Sequence, residues 1–384
     1  MGMERLREYP FEPFRGELPD ELLTMVREEP VSRVRLPDGR PAWLVVGYRE
    51  VCTVLSDPRF VRGDAPSHAP RPRELSMNGP AHTSLRRLAS RAFTARRVES
   101  YRPRVQQLTD ELLDAMVAGG RPADLMSALV APLPMLVVCE LLGVPKRDQD
   151  RFNGWAADLF AVTAHGSARA AEAEAELRGY LAERLAAKRR EPGDDLLSAW
   201  LAEQDDQELT DSEIIGLAMG VLLGGREINS IAVGMRVLFR HREAFDRLRA
   251  DPRLLPAAVD EILRYTTTSS MFLVQAAVEN VELGGCTIRA GDAVMAVPWA
   301  ANLDPAAFPD AHVFDIERAP NPLLTFGYGP HFCLGAALGR LEMEVAIGTL
   351  VRRFPTLRPA VPLDQLRWRN ERMNCGMVEF PVTW

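Results

Sequence analysis

Cysteine is scarce in this chain, and the few present follow no recognised pairing pattern. The 384 residues include five cysteines, an odd number, with wide spacings and no C-x-x-C pair. Disulfide frameworks and zinc sites need cysteines at defined spacings, so neither is expected. We therefore expect mostly reduced thiols and a cytoplasmic protein. The cysteines are Cys52, Cys139, Cys286, Cys333 and Cys375.

Long apolar runs and an excess of basic residues are also lacking. The first residues, MGMERLREYPFEPFRGELP, mix charges with prolines and hold no apolar run suited to a signal peptide or an anchor. No later stretch is suited to span a membrane. The net charge of -7 and the pI near 5.6 argue against a nucleic-acid partner, because such binders carry a basic bias. We expect neither a membrane nor a nucleic acid as a partner.

No linker, internal repeat or low-complexity tract divides the chain. With 47% hydrophobic residues it can bury a large core. Helical periodicity dominates from about residue 82 to 245, and strand-like, β-branched stretches lie between Met271 and Pro298. We therefore expect a single domain over residues 1–384, mainly α with a small β portion.

A capping box marks the start of a long apolar helix. Thr210 is followed three residues later by Glu213, so each side chain can satisfy a backbone N–H group at the helix start. The apolar pattern continues to about Arg240. We predict one helix over this range, the longest in the chain.

The most informative stretch, Phe-Gly-Tyr-Gly-Pro-His-Phe-Cys-Leu-Gly, contains Cys333. A glycine-rich bend lets backbone N–H groups point at one sulfur, and such bonds stabilise a thiolate. A predicted helix over 336–353 follows, and its positive N-terminal end also favours S⁻. A buried structural cysteine beside a turn is the alternative, but it leaves the fixed offsets of the Phe, Gly and His residues unexplained. The stretch predicts a protected, anionic sulfur.

This loop resembles the haem-binding loop of the cytochrome P450 family and matches every fixed position of that pattern. The resemblance implies that Cys333 is the axial iron ligand of a haem b. It also implies that Phe326 packs beside the sulfur, that Gly327 belongs to the cofactor-binding loop, and that His331 reaches a haem propionate. The implied fold is the P450 fold, with the haem between the long distal helix and the helix that follows the Cys loop.

Two further residue pairs fit the same resemblance. Glu261 and Arg264 lie three residues apart on a predicted helix, where the family has its E-x-x-R pair. The resemblance implies that this pair is joined by a residue of the irregular stretch before the Cys loop and shapes the haem pocket. His82 and Arg86 share a helix face and are expected to bind propionates. A surface basic patch is the alternative for this second pair.

The predicted long helix carries Gly224, Glu227, Ile228 and Asn229 where the family has a small residue over the iron, an acid and a threonine that helps deliver protons. Ile228 takes the threonine position, and isoleucine can neither donate a hydrogen bond nor hold a water beside oxygen. Protons must then come from Glu227, Asn229 or the substrate. A second departure is Gln275, a neutral amide at a strand position where the family often has a propionate-binding arginine.

The substrate pocket is expected, from family position, to include apolar and sulfur-containing side chains of the long helix and of two later segments. The same side chains fit plain core equally well. They are Met219, Leu223, Met271, Phe272 and Met377.

The resemblance implies a haem-thiolate oxidase acting on a small, largely apolar natural product of secondary metabolism. Loss of the threonine favours oxidative C–C or C–N coupling of an aromatic substrate, for which a tryptophan-containing cyclodipeptide is one candidate. The alternative is a hydroxylase or epoxidase of a macrolide, terpenoid or similar scaffold with substrate-assisted proton delivery. A non-catalytic haem-binding sensor is a remote alternative, and Gly224 and Glu227 argue against it.

Electrons are expected to come from NAD(P)H through external partners, because the chain carries no flavin or iron-sulfur segment of its own. The partners that the resemblance implies are a ferredoxin and a ferredoxin reductase. Basic residues near the Cys face suit an acidic partner. They are Arg86, Arg96, Arg340 and Arg352.

Overall fold

Helices dominate the computed structural model, which describes residues 6–11, 16–62, 78–159, 166–204, 209–225, 229–266, 274–369 and 376–384. Most of these helices place an apolar stripe against a shared core. None of the described helices combines the length and the apolarity needed to cross a membrane. The helices are α1 (Asp20–Glu28), α2 (Tyr48–Ser56), α3 (Gly79–Ala92), α4 (Ala95–Ser100), α5 (Arg102–Gly119), α6 (Pro132–Leu142), α7 (Gln149–Leu159), α8 (Gly166–Arg190), α9 (Leu196–Ala202), α10 (Asp211–Gly224), α11 (Asn229–Arg240), α12 (Arg242–Ala250), α13 (Leu255–Tyr265), α14 (Pro298–Ala301) and α15 (Ala336–Arg353).

The strands form one larger sheet and three small ones. The larger sheet has the order β1-β2-β3-β9-β6-β4, with parallel pairing at β1/β2 and β3/β9 and antiparallel pairing elsewhere. The small sheets are β10-β13-β5, β11-β12 and β7-β8. A mainly α fold with a small β portion is therefore confirmed. The strands are β1 (Arg7–Glu8), β2 (Val31–Arg35), β3 (Pro41–Val45), β4 (Phe60–Val61), β5 (Ala123–Asp124), β6 (Val274–Ala277), β7 (Val281–Leu283), β8 (Cys286–Ile288), β9 (Ala293–Ala296), β10 (Arg358–Pro359), β11 (Trp368–Arg369), β12 (Gly376–Met377) and β13 (Pro381–Thr383).

The capping box is present, but the single long helix predicted after it is described as two. The Thr210 N–H donates to the Glu213 carboxylate at 2.8 Å, and the Glu213 N–H donates to the Thr210 hydroxyl at 3.3 Å. Helix α10 ends at Gly224, and the N–H of the next residue, Gly225, donates to the Val221 carbonyl at 2.8 Å. Two adjacent glycines favour such an interruption, since glycine is a weak helix former. The longest helix of the described ranges is α8, with 25 residues, which corrects the prediction.

Two groups of buried side chains connect the helices and the larger sheet to the Cys333 loop. The main group lies among the helices and includes Met219 and Met377, which are 2% and 1% exposed. A second group joins Val54 of α2, Phe60 of β4 and Leu324, which lies shortly before the loop. The loop is thus held between helix α2 and the start of helix α15.

Helix α15 packs against α4, α5, α11, α12 and α13, and it buries one acid among apolar neighbours. The Glu342 side chain is 7% exposed and makes no hydrogen bond or ion pair with the part of the chain that the structure describes. Desolvation raises the pKa of Glu342 to about 8, because burial disfavours the charged carboxylate. The folded protein therefore holds Glu342 in its neutral form near pH 7.

This neutral acid predicts a pH dependence of stability. The folded-state pKa of Glu342 lies above its unfolded value of 4.5. Its contribution to the free energy of unfolding is therefore complete below pH 4.5 and is lost as pH rises through about 8. Glu342→Gln keeps nearly the size and shape of the protonated acid but cannot titrate. We expect the thermal midpoint of the variant to rise relative to the parent between pH 5 and pH 8. The exposed Glu111→Gln is the control, and a parent-to-variant difference that is constant with pH would contradict the prediction.

Candidate functional site

The Cys333 loop is a tight bend whose backbone is closed by its own hydrogen bonds. The Cys333 N–H donates to the Phe326 carbonyl at 2.7 Å, and the Gly327 N–H donates to the Leu324 carbonyl at 2.8 Å. Gly327 has φ 78°, a left-handed conformation that favours glycine. The bend leads directly into helix α15. The predicted helix after the cysteine is therefore observed, and the sulfur lies just before its N-terminus.

Gly329 fixes the loop against helix α2. Its φ is 71°, and a Cβ at this position would lie 2.8 Å from the Leu55 carbonyl oxygen and 2.9 Å from Ser56 Cα. Both atoms belong to backbone, which cannot move aside without disturbing α2. The glycine is therefore required by conformation and by space.

The Cys333 thiol is influenced by opposing effects. Desolvation raises the pKa of Cys333, whereas the Gly335 N–H, Arg86 and Arg340 lower it. The residue is nevertheless exposed by its accessible surface. A thiol on the floor of a recess has both properties, because water reaches one side of it while protein encloses the others. Arg340 is held nearby by Asp260, at 2.6 Å, and its guanidinium carbon lies 4.5 Å from the centre of the Phe326 ring.

Beside the loop, four basic side chains gather with an unpartnered nitrogen among them. The His82 and His331 rings lie 4.0 Å apart between centroids, and Arg86 donates a hydrogen bond to the Phe332 carbonyl. Desolvation, together with Arg62, His82 and Arg86, lowers the pKa of His331 to about 3. Desolvation, Arg86 and Arg62 likewise lower the pKa of His82.

Within the described residues, His82 Nε2 is buried with no hydrogen-bond partner. The charged groups that shift the pKa of either imidazole are all basic. A buried polar atom normally has a partner, and basic groups gathered at one place attract anions. The predicted pair His82 and Arg86 thus meets His331 in a site suited to a carboxylate.

Glu261 and Arg264 form an ion pair with no exposed surface. Two Arg264 nitrogens donate to the two Glu261 carboxylate oxygens, each at 2.7 Å. Arg264 also donates to the Asn302, Ala311 and Val313 carbonyls at 2.9, 2.8 and 3.1 Å. The arginine therefore organises an irregular segment as well as its acidic partner.

A residue of the irregular stretch, Arg318, joins the pair. Arg318 lies 3.2 Å from the Glu261 carboxylate and donates to the Pro309 carbonyl at 2.7 Å. The Asp315 N–H donates to the same carboxylate at 2.9 Å. The Glu261 charge is thus compensated by two arginines and by backbone.

Asn302 connects this ion pair to the Cys333 loop, and sequence reasoning missed it. Its carbonyl accepts from Arg264, and its side chain accepts from the Leu324 N–H at 2.6 Å and donates to the Thr325 hydroxyl at 2.9 Å. Thr325 in turn donates to the Leu263 carbonyl at 2.6 Å. No local motif marks Asn302, because its partners are distant in sequence.

The distal residues are described only in part. Glu227, Ile228, Met271 and Phe272 lie outside the described residues, as does the side chain of Leu223.

The two distal residues that are described differ in their surroundings. Gly224 is exposed, and a Cβ there would lie within 4 Å of no atom in the described ranges, helix α10's own backbone aside. The buried Asn229 amide packs so closely on Gly376 of β12 that a Cβ at 376 would overlap it. A small residue therefore borders open space, whereas Asn229 contacts the β11-β12 hairpin.

Gln275 points into the interior between β6, α2 and β4. Its amide nitrogen donates to the Val54 and Phe60 carbonyls at 3.4 and 3.3 Å. Its carbonyl oxygen is buried without a partner in the described part of the chain. A neutral amide thus occupies a position that could have held a buried cation.

Comparison with known proteins agrees with this architecture. The cytochrome P450 family model matches residues 158–368. Nocardicin C N-oxygenase of Nocardia uniformis subsp. tsuyamanensis is 43% identical, and mycinamicin IV hydroxylase/epoxidase of Micromonospora griseorubida is 42% identical, each alignment covering 98% of both chains. The solved structure of the LnmA cytochrome P450 hydroxylase from the leinamycin pathway of Streptomyces atroolivaceus has a TM-score of 0.92 at 40% identity, covering 99% of this chain and 100% of that one.

The chain therefore belongs to the cytochrome P450 family. It is an oxidoreductase of the P450 type, and its similarity is to bacterial biosynthetic members. The family implies a haem with an axial cysteine.

The buried ion pair predicts a loss of haem when either charge is removed. Glu261→Ala or Arg264→Ala leaves an uncompensated buried charge, which costs about 3–5 kcal/mol. Glu172→Ala, which removes an exposed pair with Arg169, is the matched control and should change stability by less than about 0.5 kcal/mol. Haem content per chain and thermal unfolding measure the effect. Normal values in both pair variants would contradict a role in shaping the pocket.

Proposed function

We propose that Cys333 is the axial ligand of the haem that family membership implies, and that His82, Arg86 and His331 bind its propionates. The observation that carries the proposal is the buried His82 Nε2 without a partner among the described residues, set among basic groups beside the Cys333 loop. A buried unpaired donor costs about 1–3 kcal/mol, and a carboxylate placed there would accept its hydrogen bond.

The loop residues orient the sulfur. The bonds of Phe326 and Gly327 close the bend, and the Gly335 N–H, Arg86 and Arg340 stabilise the thiolate. When bound, the haem supplies the redox chemistry that oxidises the substrate. A coordinated metal ion deprotonates a thiol, so desolvation of Cys333 is compatible with thiolate ligation.

The ferrous-CO spectrum tests this assignment. Thiolate and histidine ligation place the main absorption band at different wavelengths, and we expect the thiolate band. Cys333→Ala should abolish it, whereas Cys52→Ala, at a half-buried cysteine on α2, should retain it. A histidine-type band in the parent protein, or an unchanged band in Cys333→Ala, would overturn the proposal.

We propose further that the substrate is a small, largely apolar natural product that brings its own N–H or O–H group to the reaction centre. Ile228 cannot donate a proton, and the Asn229 amide lies against Gly376, which leaves Glu227 and the substrate as the better sources. The open space at Gly224 suits a ligand. Leu223 and Met271 extend this proposed pocket.

The remaining pocket residues predicted from family position are Met219, Phe272 and Met377. Met219 and Met377 are 2% and 1% exposed and lie in the main buried cluster, where methionine fills gaps between apolar neighbours. Their burial favours the core alternative for these two side chains, and Phe272 stays a proposed pocket residue.

Two reaction outcomes follow from the same site. The relatives described above carry the names N-oxygenase, hydroxylase/epoxidase and hydroxylase, and these names favour oxygen insertion into the substrate. Ile228 favours oxidative C–C or C–N coupling, because coupling removes hydrogen atoms and depends less on proton delivery to oxygen. A substrate-assisted route is compatible with both outcomes.

Electrons are proposed to come from NAD(P)H through a ferredoxin and its reductase in the cytoplasm, with the chain acting as one P450 domain. Of the basic residues suggested for docking, Arg96 and Arg352 are exposed. Arg340 is paired with Asp260, and Arg86 bonds to the Phe332 carbonyl. The two exposed arginines, Arg96 and Arg352, therefore offer the better contact for an acidic partner.

Ile228→Thr separates the two outcomes. Restoring a donor worth about 1–3 kcal/mol should raise the hydroxylated fraction obtained from simple apolar analogues. With these analogues, the parent protein should divert most electrons into peroxide. With a substrate that bears an N–H or O–H group, it should use most electrons to form product. Product per electron consumed is the measurement for both proteins. If the parent protein already forms nearly one product per electron pair with apolar analogues, and Ile228→Thr leaves this yield unchanged, the support for substrate-assisted chemistry is removed.

A further inference from the structure

Arg62 follows β4 directly, on the side of the sheet edge where β6 carries Gln275. The antiparallel register pairs Phe60 with Ala277 and Val61 with Ala276. The ladder ends there, and one more step of the same register would place Arg62 opposite Gln275. An arginine thus leaves β4 next to the strand that carries the neutral amide.

The backbone of Arg62 is fixed to the helix that carries His82 and Arg86. Asn78 immediately precedes α3, and its amide nitrogen donates to the Arg62 carbonyl at 2.7 Å. The Arg62 N–H donates back to the Asn78 side-chain oxygen at 3.3 Å. This two-point contact holds Arg62 at the start of α3, beside the basic site.

The Arg62 charge acts on the His82 imidazole of that site. Desolvation, Arg86 and Arg62, in that order, lower the pKa of His82. Gln275 cannot supply a charge, and its amide nitrogen is engaged with the Val54 and Phe60 carbonyls. At this sheet edge, the described arginine beside the basic site follows β4, whereas β6 carries a neutral amide.

We propose that Arg62 binds a haem carboxylate and supplies from β4 the positive charge that Gln275 does not supply from β6. The inference rests on the proposed haem site. A charged donor next to a carboxylate forms one of the stronger hydrogen bonds in proteins, and arginine can engage both oxygens at once. Arg62 joins His82, Arg86 and His331, so four basic groups face the two carboxylates of one haem.

Haem retention and the reduction potential test this role without any substrate. Arg62→Gln should lose haem to apomyoglobin on the order of tenfold faster than the parent protein. Its ferric/ferrous potential should also fall, because removal of a nearby positive charge disfavours the added electron. Arg62→Lys keeps the charge but loses bidentate geometry, so its potential should stay close to that of the parent.

Two further variants make the test specific. Arg59→Gln removes an arginine of the same segment that pairs with Asp57 at 2.6 Å, and it should leave both measurements unchanged. Arg62→Gln combined with Gln275→Arg returns the charge from the opposite strand and should restore haem retention. Circular dichroism and thermal unfolding of the apoproteins show whether each variant folds.

The outcomes separate this inference from the proposed function. Absence of the thiolate-type CO band in the parent would remove the haem site itself. A normal band in the parent, with Arg62→Gln equal to Arg59→Gln in haem loss and potential, would overturn the role of Arg62 alone. Faster haem loss and a lower potential in a folded Arg62→Gln, reversed in the double variant, would support it.

Discussion

Two opposite charges with no exposed surface determine the path of the chain around the site. Removing Glu261 and Arg264 from water costs several kcal/mol per ion, and their attraction balances this only when further hydrogen bonds complete both groups. The Asn302, Ala311 and Val313 carbonyls therefore turn towards Arg264. A segment without regular secondary structure thereby acquires one conformation. Through Asn302 and Thr325, helix α13 is also hydrogen-bonded to the segment that leads into the Cys333 loop.

Charge is distributed unevenly over the molecule. The chain carries a net charge of -7, yet Arg62, His82, Arg86 and His331 gather at one place, and the charges that shift both imidazoles are basic. Many surface arginines, by contrast, lie beside carboxylates. Glu342 shows the converse case, since burial keeps that acid neutral. Basic groups are thus concentrated locally, and the net charge of the chain does not reveal it.

Features that depend on a few neighbouring residues could be predicted from the sequence. The capping box at Thr210, the helix after Cys333 and the pairing of Glu261 with Arg264 are of this kind. Features made by distant segments could not. Asn302 is important because it forms hydrogen bonds with residues more than twenty positions away. No local sequence pattern predicts such contacts. Met219 and Met377 show a further limit, because an apolar pattern is the same for core and for pocket.

The contact between Asn229 and Gly376 limits how the pocket can change its shape. The amide occupies the space that any larger residue at 376 would need, so helix α11 and the β11-β12 hairpin approach each other at a fixed distance. An added carbon at Gly376 would push the hairpin away from the helix. Redesign of this protein for a bulkier ligand would therefore keep glycine at 376 and seek the extra space at other positions.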